Sequence, residues 1–117
     1  MKRNDYVYLR HILDAIAKIE SYLGTLQKED FFSNSLVQDG VIRQLEIIGE
    51  ATKNLSSTLR ENYFDIPWQD IAGMRDKLIH QYFGVDLETV WLSAKSDIPE
   101  LKIEVNKIVQ YLTNDKI

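Results

Sequence analysis

The chain has 117 residues, enough for one domain with a core of its own. Hydrophobic residues make up 44% and charged residues 27%, ordinary for a globular protein, and no stretch is apolar for long enough to span a bilayer. Cysteine is absent, which excludes disulfides and thiolate metal sites, and a net charge of -4 argues against broad electrostatic binding to nucleic acid while leaving room for a local basic site.

The opening stretch, MKRNDYVYLRHILD, is polar and then amphipathic. It lacks the continuous apolar core of a signal peptide, so a cytoplasmic location is expected. A first helix is predicted from Asn4 to Leu23. Tyr6, Leu9, Leu13, Ile16 and Leu23 recur at helical spacing, and Ile12 and Ile19 widen the stripe. Gly24 is the predicted stop. A polar connection follows, with Phe31 and Phe32 expected to pack it down. Ser33 or Asn34 is placed to cap a second helix. Its buried side is expected to carry Leu36, Val37, Val41, Leu45, Ile48, Thr52, Leu55 and Leu59. Gly40 and Gly49 lie inside that helix. A helical glycine costs roughly 1 kcal/mol relative to alanine, so close helix approach explains each better than propensity does.

Residues 60–67 are expected to form a break ending in Ile66-Pro67, with Pro67 at or just before a helix start. The third helix is predicted from Trp68 to Tyr82, with Ile71, Met74, Leu78 and Ile79 inward and Gly84 ending it. Asp86 should cap a fourth helix. Its inward side runs through Leu87, Val90 or Trp91, Ala94, Ile98, Leu101, Val105, Ile108 and Leu112. Pro99 removes a backbone donor there and should kink or split the helix. No alternating strand pattern appears. The expected architecture is all-α, a four- to five-helix antiparallel bundle forming a single domain over residues 1–117.

Most catalytic signatures are missing. There is no Gly-rich phosphate loop and no serine hydrolase elbow. Of the two histidines, His11 and His80, neither has a second histidine or cysteine at ligand spacing. No metal site and no cofactor is therefore expected. Residues 74–86, MRDKLIHQYFGVD, concentrate Arg75, Asp76, Lys77, His80 and Tyr82. Arginine offers a fixed cation whose planar fork suits phosphate oxygens. Histidine both takes and gives a proton near neutral pH. Together they are sufficient for in-line RNA cleavage without a metal. Asp76 and His80 lie four apart on one helix face, where the carboxylate can orient the imidazole. Arg75 and His80 lie five apart, about 140° around an ideal helix, which does not easily aim both at one point, although a long arginine can reach round. A two-fold dimer relieves this by bringing a second Arg and a second His to the same groove.

Blander readings of the same residues stand beside this one. An Arg and a His near a helix end also suit a solvated pair in which His favours the carboxyl-terminal dipole. Tyr82 also suits a core or interface aromatic, and His11 a structural or exposed position. Trp68, Trp91 and Phe83 suit the core better than a base-stacking platform. Glu46 and Glu50 share a face, as a solvated stripe or as partners for Arg43, Lys53 or Arg75.

Arg75-x4-His80-x-Tyr82 resembles the Arg-x4-His-x-Tyr motif of the HepT-like family, within the larger HEPN superfamily. RQLEIIGEATKNL (residues 43–55) is similar to that family's second-helix signature. IPWQDIAGMRDKLIHQYFGVD (residues 66–86), then Val90-Trp91 and Ile98-Pro99, are similar to its central block. The resemblance covers nearly the whole chain. It implies a HEPN-like bundle, usually a homodimer, with paired motifs facing a shared cleft. It implies a metal-independent endoribonuclease toxin of a type II toxin–antitoxin pair. Arg75 would bind and polarise phosphate, His80 would be the general acid/base, and Asp76 would support them. The implied antitoxin is a minimal nucleotidyltransferase of the MNT type, which transfers AMP from ATP to the motif tyrosine, here Tyr82. The added phosphate would compete with RNA beside Arg75 and His80. The alternatives are a non-catalytic helical binding partner and substrate of such a transferase, and a plain helical scaffold.

Overall fold

The structure, a computed structural model, describes residues 3–74, 76 and 86–114. Helix α1 spans Arg3–Leu23 and buries Leu9, Ile12, Ala15, Ile16, Ile19 and Leu23 along one stripe. It ends at Gly24, whose φ of 49° is a left-handed conformation that favours glycine. Gly24 N–H closes on Glu20 O at 2.9 Å. The connection is not a plain loop, because Lys28–Phe32 forms a short helix α2. The Asp30 carboxylate accepts from Gln27 N–H at 3.2 Å across its start. Phe31 is fully buried with its ring centroid 5.3 Å from that of Trp91, whereas Phe32 stays exposed, against expectation. One amphipathic turn can sink only one of two adjacent rings.

Helix α3 spans Ser35–Lys53. Of the two candidate caps the structure uses Asn34, whose Oδ1 accepts from Val37 N–H at 3.1 Å. Val41, Leu45, Ile48 and Thr52 are buried as predicted. Leu36 is not, being 81% exposed in the first turn. Gly40 confirms close approach, since a Cβ there would lie 3.1 Å from the Tyr22 ring. The break comes earlier than predicted. α3 stops at Lys53, Leu55 is buried from the connection that follows, and Leu59 from a separate turn, α4 (Ser57–Asn62). The side chains around residue 54 explain this. Asn54 Nδ2 donates to Glu50 O at 2.9 Å, and Ser56 Oγ accepts from Leu59 N–H at 3.1 Å, so both polar residues draw hydrogen bonds away from a continuous helix.

α1 and α3 run antiparallel. The end of α1 meets the beginning of α3 at Tyr22 and Gly40, and the start of α1 meets the end of α3 where Tyr8 and His11 lie against Ile47 and Asn54. Asp5, buried in the first turn of α1, fastens that end. Its Oδ1 accepts from Ser56 N–H at 2.8 Å and its Oδ2 from Ser56 Oγ–H at 2.7 Å.

Helix α5 spans Trp68–Ala72, begun by Pro67. Trp68 is core, with its indole N–H donating to Tyr63 O at 3.0 Å. The predicted third helix is interrupted at Gly73, where a Cβ would lie 3.3 Å from Gln69 O. Helical geometry is present again at Met74 and Asp76. Leu78, Ile79, Tyr82 and Gly84, called for the remainder of that helix, lie outside the described residues.

Helix α6 (Leu87–Leu92) passes through a π-helical turn, Ser93–Asp97, into helix α7 (Ile98–Asn114). Ile98 N–H bonds Ser93 O, five residues back. Pro99 lacks a backbone donor and its ring crowds the carbonyl four residues earlier. The wider turn just before it absorbs that conflict, so the run neither splits nor stops. Val90, Ala94, Ile98, Leu101, Val105 and Ile108 face inward, with Trp91 half-buried. Among the described residues there is no strand, and the all-α bundle is the one expected. No described helix is long and apolar enough to cross a membrane.

Asp5→Ala leaves Ser56 N–H and Oγ–H without their charged acceptor, which is expected to cost about 1–3 kcal/mol. Urea unfolding of the variant beside the parent chain measures it. Equal midpoints would show that Asp5 holds nothing.

Candidate active site

The sequence puts the chemistry on residues 74–86, and the structure describes both ends of that segment. At one end Asp76 is exposed, with its carboxylate 3.6 Å from the Lys53 ammonium. Lys53 sits in the last turn of α3, where a cation also suits the helix dipole. The separation exceeds that of a charge-assisted hydrogen bond, and both groups are solvated, so the pair contributes at most ~1 kcal/mol. Its importance is positional. It brings the end of α3, already fastened to α1, beside the residue that follows Arg75 in the chain.

At the other end Asp86 begins α6. Its Oδ1 accepts from Glu88 N–H at 3.1 Å and Thr89 N–H at 3.3 Å, and its Oδ2 accepts from Thr89 Oγ–H at 2.8 Å. The Thr89 hydroxyl, then the backbone N–H groups, hold the Asp86 carboxyl below the usual aspartate range. Glu88 in turn receives the Lys28 ammonium at 2.7 Å, which ties α6 to α2.

Arg75, His80 and Tyr82 lie outside the described residues, as do Lys77 and Phe83, so the predicted Asp76–His80 hydrogen bond falls there as well. Sequence reasoning missed the Lys53–Asp76 pair, having matched Lys53 to Glu46 or Glu50 on its own helix. A signal for the pair was present in the lysine at the carboxyl end of α3, although only the tertiary packing reveals which carboxylate reaches it. His11 is exposed, with its ring edge-on to Tyr8 at 5.7 Å between centroids.

A groove of about 1000 Å³ opens between α5 and the α6–α7 run, with Ile66, Met74, Val90 and Leu101 in its walls. Asp65, Asp70, Asp97, Glu100 and Glu104 line it too. Those carboxylates repel a phosphate backbone.

The chain matches the HepT-like ribonuclease family over residues 12–108, a span that contains the whole Arg75–Tyr82 motif. It is 49% identical over 116 residues to a Methanocaldococcus jannaschii protein whose name joins gamma-glutamylcyclotransferase to "putative RNase". That alignment takes in 99% of this chain and 52% of the other, so the chain spans about half of that relative. A "probable ribonuclease HepT" from Thermococcus cleftensis is 46% identical over 108 residues, 92% of this chain and 98% of its own length. A "putative RNase" of Caldanaerobacter subterraneus is 44% identical over 103 residues, 88% of this chain and 92% of its own. No solved structure matches significantly. The fold and the motif segment define an all-α bundle of the HEPN kind. The chain belongs to the HepT-like ribonuclease family.

The Asp86 cap carries a sign. A carboxyl held below its unfolded value stabilises the start of α6 above the ordinary aspartate range, and that contribution is lost as pH falls through the folded value. Hydrogen exchange at the Glu88 and Thr89 amides should therefore accelerate in acid relative to the α1 core, and in Asp86→Ala it should be fast already at neutral pH. Unchanged protection of both amides in that variant would remove Asp86 as the cap.

Proposed function

We propose that this protein is a metal-independent endoribonuclease toxin of a type II toxin–antitoxin pair, acting as a homodimer with Arg75 and His80 in a cleft between the two copies. What carries the reading is the Arg75-x4-His80-x-Tyr82 spacing inside an uninterrupted family match over residues 12–108. The Lys53–Asp76 pair supports it by holding the end of α3 beside the residue that follows Arg75.

The chemistry follows from the two side chains. The His80 imidazole removes the proton of a ribose 2′-hydroxyl, and the 2′-oxygen attacks the adjacent phosphorus in line. Arg75 holds two phosphoryl oxygens and offsets the charge that grows on them. The bond from phosphorus to the 5′-oxygen breaks, and that oxygen takes its proton from water, while the imidazolium returns the 2′-hydroxyl proton to solvent. The products are a 2′,3′-cyclic phosphate and a 5′-hydroxyl. Arg75 of one copy works with His80 of the other, because their five-residue separation points them apart on one helix.

Regulation falls to Tyr82. An MNT-type nucleotidyltransferase antitoxin transfers AMP from ATP to the phenolic oxygen, releasing pyrophosphate. The new phosphodiester carries negative charge beside Arg75 and His80, where it competes with the RNA backbone and fills the cleft. The second reading, a non-catalytic substrate of that transferase, shares the modification and lacks the cleavage.

The purified dimer is expected to cut single-stranded RNA with EDTA present and to leave cyclic phosphate ends, read by gel and mass spectrometry. His80→Ala should lose about 10²–10⁴-fold in rate with its helix content intact. Cleavage that persists in His80→Ala, or that vanishes with EDTA, contradicts the reading. A parent chain that cuts nothing but gains an AMP mass, absent in Tyr82→Phe, selects the non-catalytic alternative.

A further inference from the structure

On the side of α3 turned toward α1, a shallow hollow of about 150 Å³ is lined by Tyr8, His11, Ile47, Glu50, Ala51 and Asn54. Its composition differs from that of a core defect. Two aromatic rings stand at right angles, 5.7 Å apart, at its rim. Ile47 and Ala51 form an apolar floor. Glu50 and His11 are exposed rather than sealed in. No cation among the described residues pairs with the Glu50 carboxylate. Asn54 Nδ2 donates to the Glu50 backbone carbonyl at 2.9 Å, which fixes the amide and leaves its Oδ1 as an acceptor.

A space on the order of 150 Å³ takes an aromatic ring, and this one is open on one side for a larger ring system. Proteins read single-stranded RNA by stacking splayed bases on aromatic side chains and hydrogen-bonding their edges. The hydrogen-bonding character of the hollow then selects among the bases. A carboxylate only accepts, and Asn54 adds a further acceptor. Guanine alone presents two adjacent donors, N1–H and N2–H, on its Watson–Crick edge, which a carboxylate meets in a bidentate fashion. Adenine and cytosine each present one amino group, and uracil one imide N–H.

Position agrees with chemistry. Glu50 and Asn54 lie four apart and share a face, while Lys53 turns from the same last turn of α3 toward Asp76. Lys53 follows Glu50 by three residues, so the ammonium and the edge of the hollow are neighbours on α3. We infer that Tyr8, His11, Glu50 and Asn54 form a guanine subsite of the RNA cleft, with the base in the hollow and its phosphate toward Lys53. The inference rests on the nuclease reading for its substrate and supplies the base preference that the motif itself does not specify.

The test uses the intact chain and short single-stranded RNA substrates that differ only in one base, guanine, adenine, cytosine or uracil. The ratio of kcat/KM for the guanine substrate to that for the adenine substrate is expected to exceed unity about tenfold. Glu50→Ala should bring that ratio to near one, and His11→Ala should weaken all substrates together through lost stacking. Misfolding lowers every substrate alike and leaves the ratio intact, so the ratio reports the subsite alone. A ratio unchanged in Glu50→Ala overturns the inference. So does a Glu50→Ala chain whose only defect is a changed oligomeric state by light scattering, which would make the hollow a contact between copies. Fluorescence anisotropy with a guanine-containing oligonucleotide, 2′-deoxy at the cleavage site, separates the two claims. Guanine-selective binding lost in Glu50→Ala upholds the subsite even if the parent chain cuts nothing, and cleavage without such binding upholds the nuclease while removing the subsite.

Discussion

Leu9, Ile12, Ile16 and Ile19 of α1 and Val41, Leu45 and Ile48 of α3 lose almost all contact with water where the two helices lie antiparallel. Each such side chain contributes about 1.5–3 kcal/mol on burial, far more than any ion pair on this surface. The seam fixes where the end of α3 sits against α1, and Lys53 there lies beside the residue that follows Arg75. Asp5 adds direction to a contact that is otherwise only hydrophobic. Its carboxylate meets Ser56 just past α3, so the two helices cannot slide by a turn without leaving a buried charge unmatched.

From that fixed end, the last turn of α3 presents two different surfaces. Lys53 reaches toward Asp76 and the motif segment, and Glu50 with Asn54 faces Tyr8 and His11. The described walls of the groove between α5 and the α6–α7 run carry carboxylates, which repel a phosphate chain. A net charge of -4 is therefore compatible with an RNA substrate, provided recognition depends on a few placed cations rather than on a general field. Such a protein binds weakly and locally, and it gains selectivity from what surrounds the phosphate.

Much of the fold was legible in the residues. The stripes of α1, α3 and α7 follow helical spacing, Gly24 stops α1, and Asp86 caps α6, all as local rules dictate. The errors arose where two local rules competed. Leu55 and Leu59 kept the period of α3, yet Asn54 and Ser56 broke the helix beneath it, because side chains that satisfy backbone groups override a continuing apolar pattern. Pro99 was read as a kink or split, and the helical run meets it with a π-helical turn in place of a break. Leu36 matched the stripe but is 81% exposed in the first turn of α3. The motif was legible as chemistry, and the resemblance gave it a family. The Lys53–Asp76 contact was not legible, since the two residues meet only after α3 and α5 have packed.

The central claim is that Arg75 of one copy and His80 of the other converge on one phosphodiester. Mixing two inactive homodimers, Arg75→Ala and His80→Ala, by joint unfolding and refolding tests it most directly. A mixed dimer then holds one cleft with both defects and one with neither. The account predicts that mixed dimers, counted by native mass spectrometry, regain RNA cleavage at about half the parent rate per dimer. Mixed dimers that form in quantity and remain inactive would contradict it.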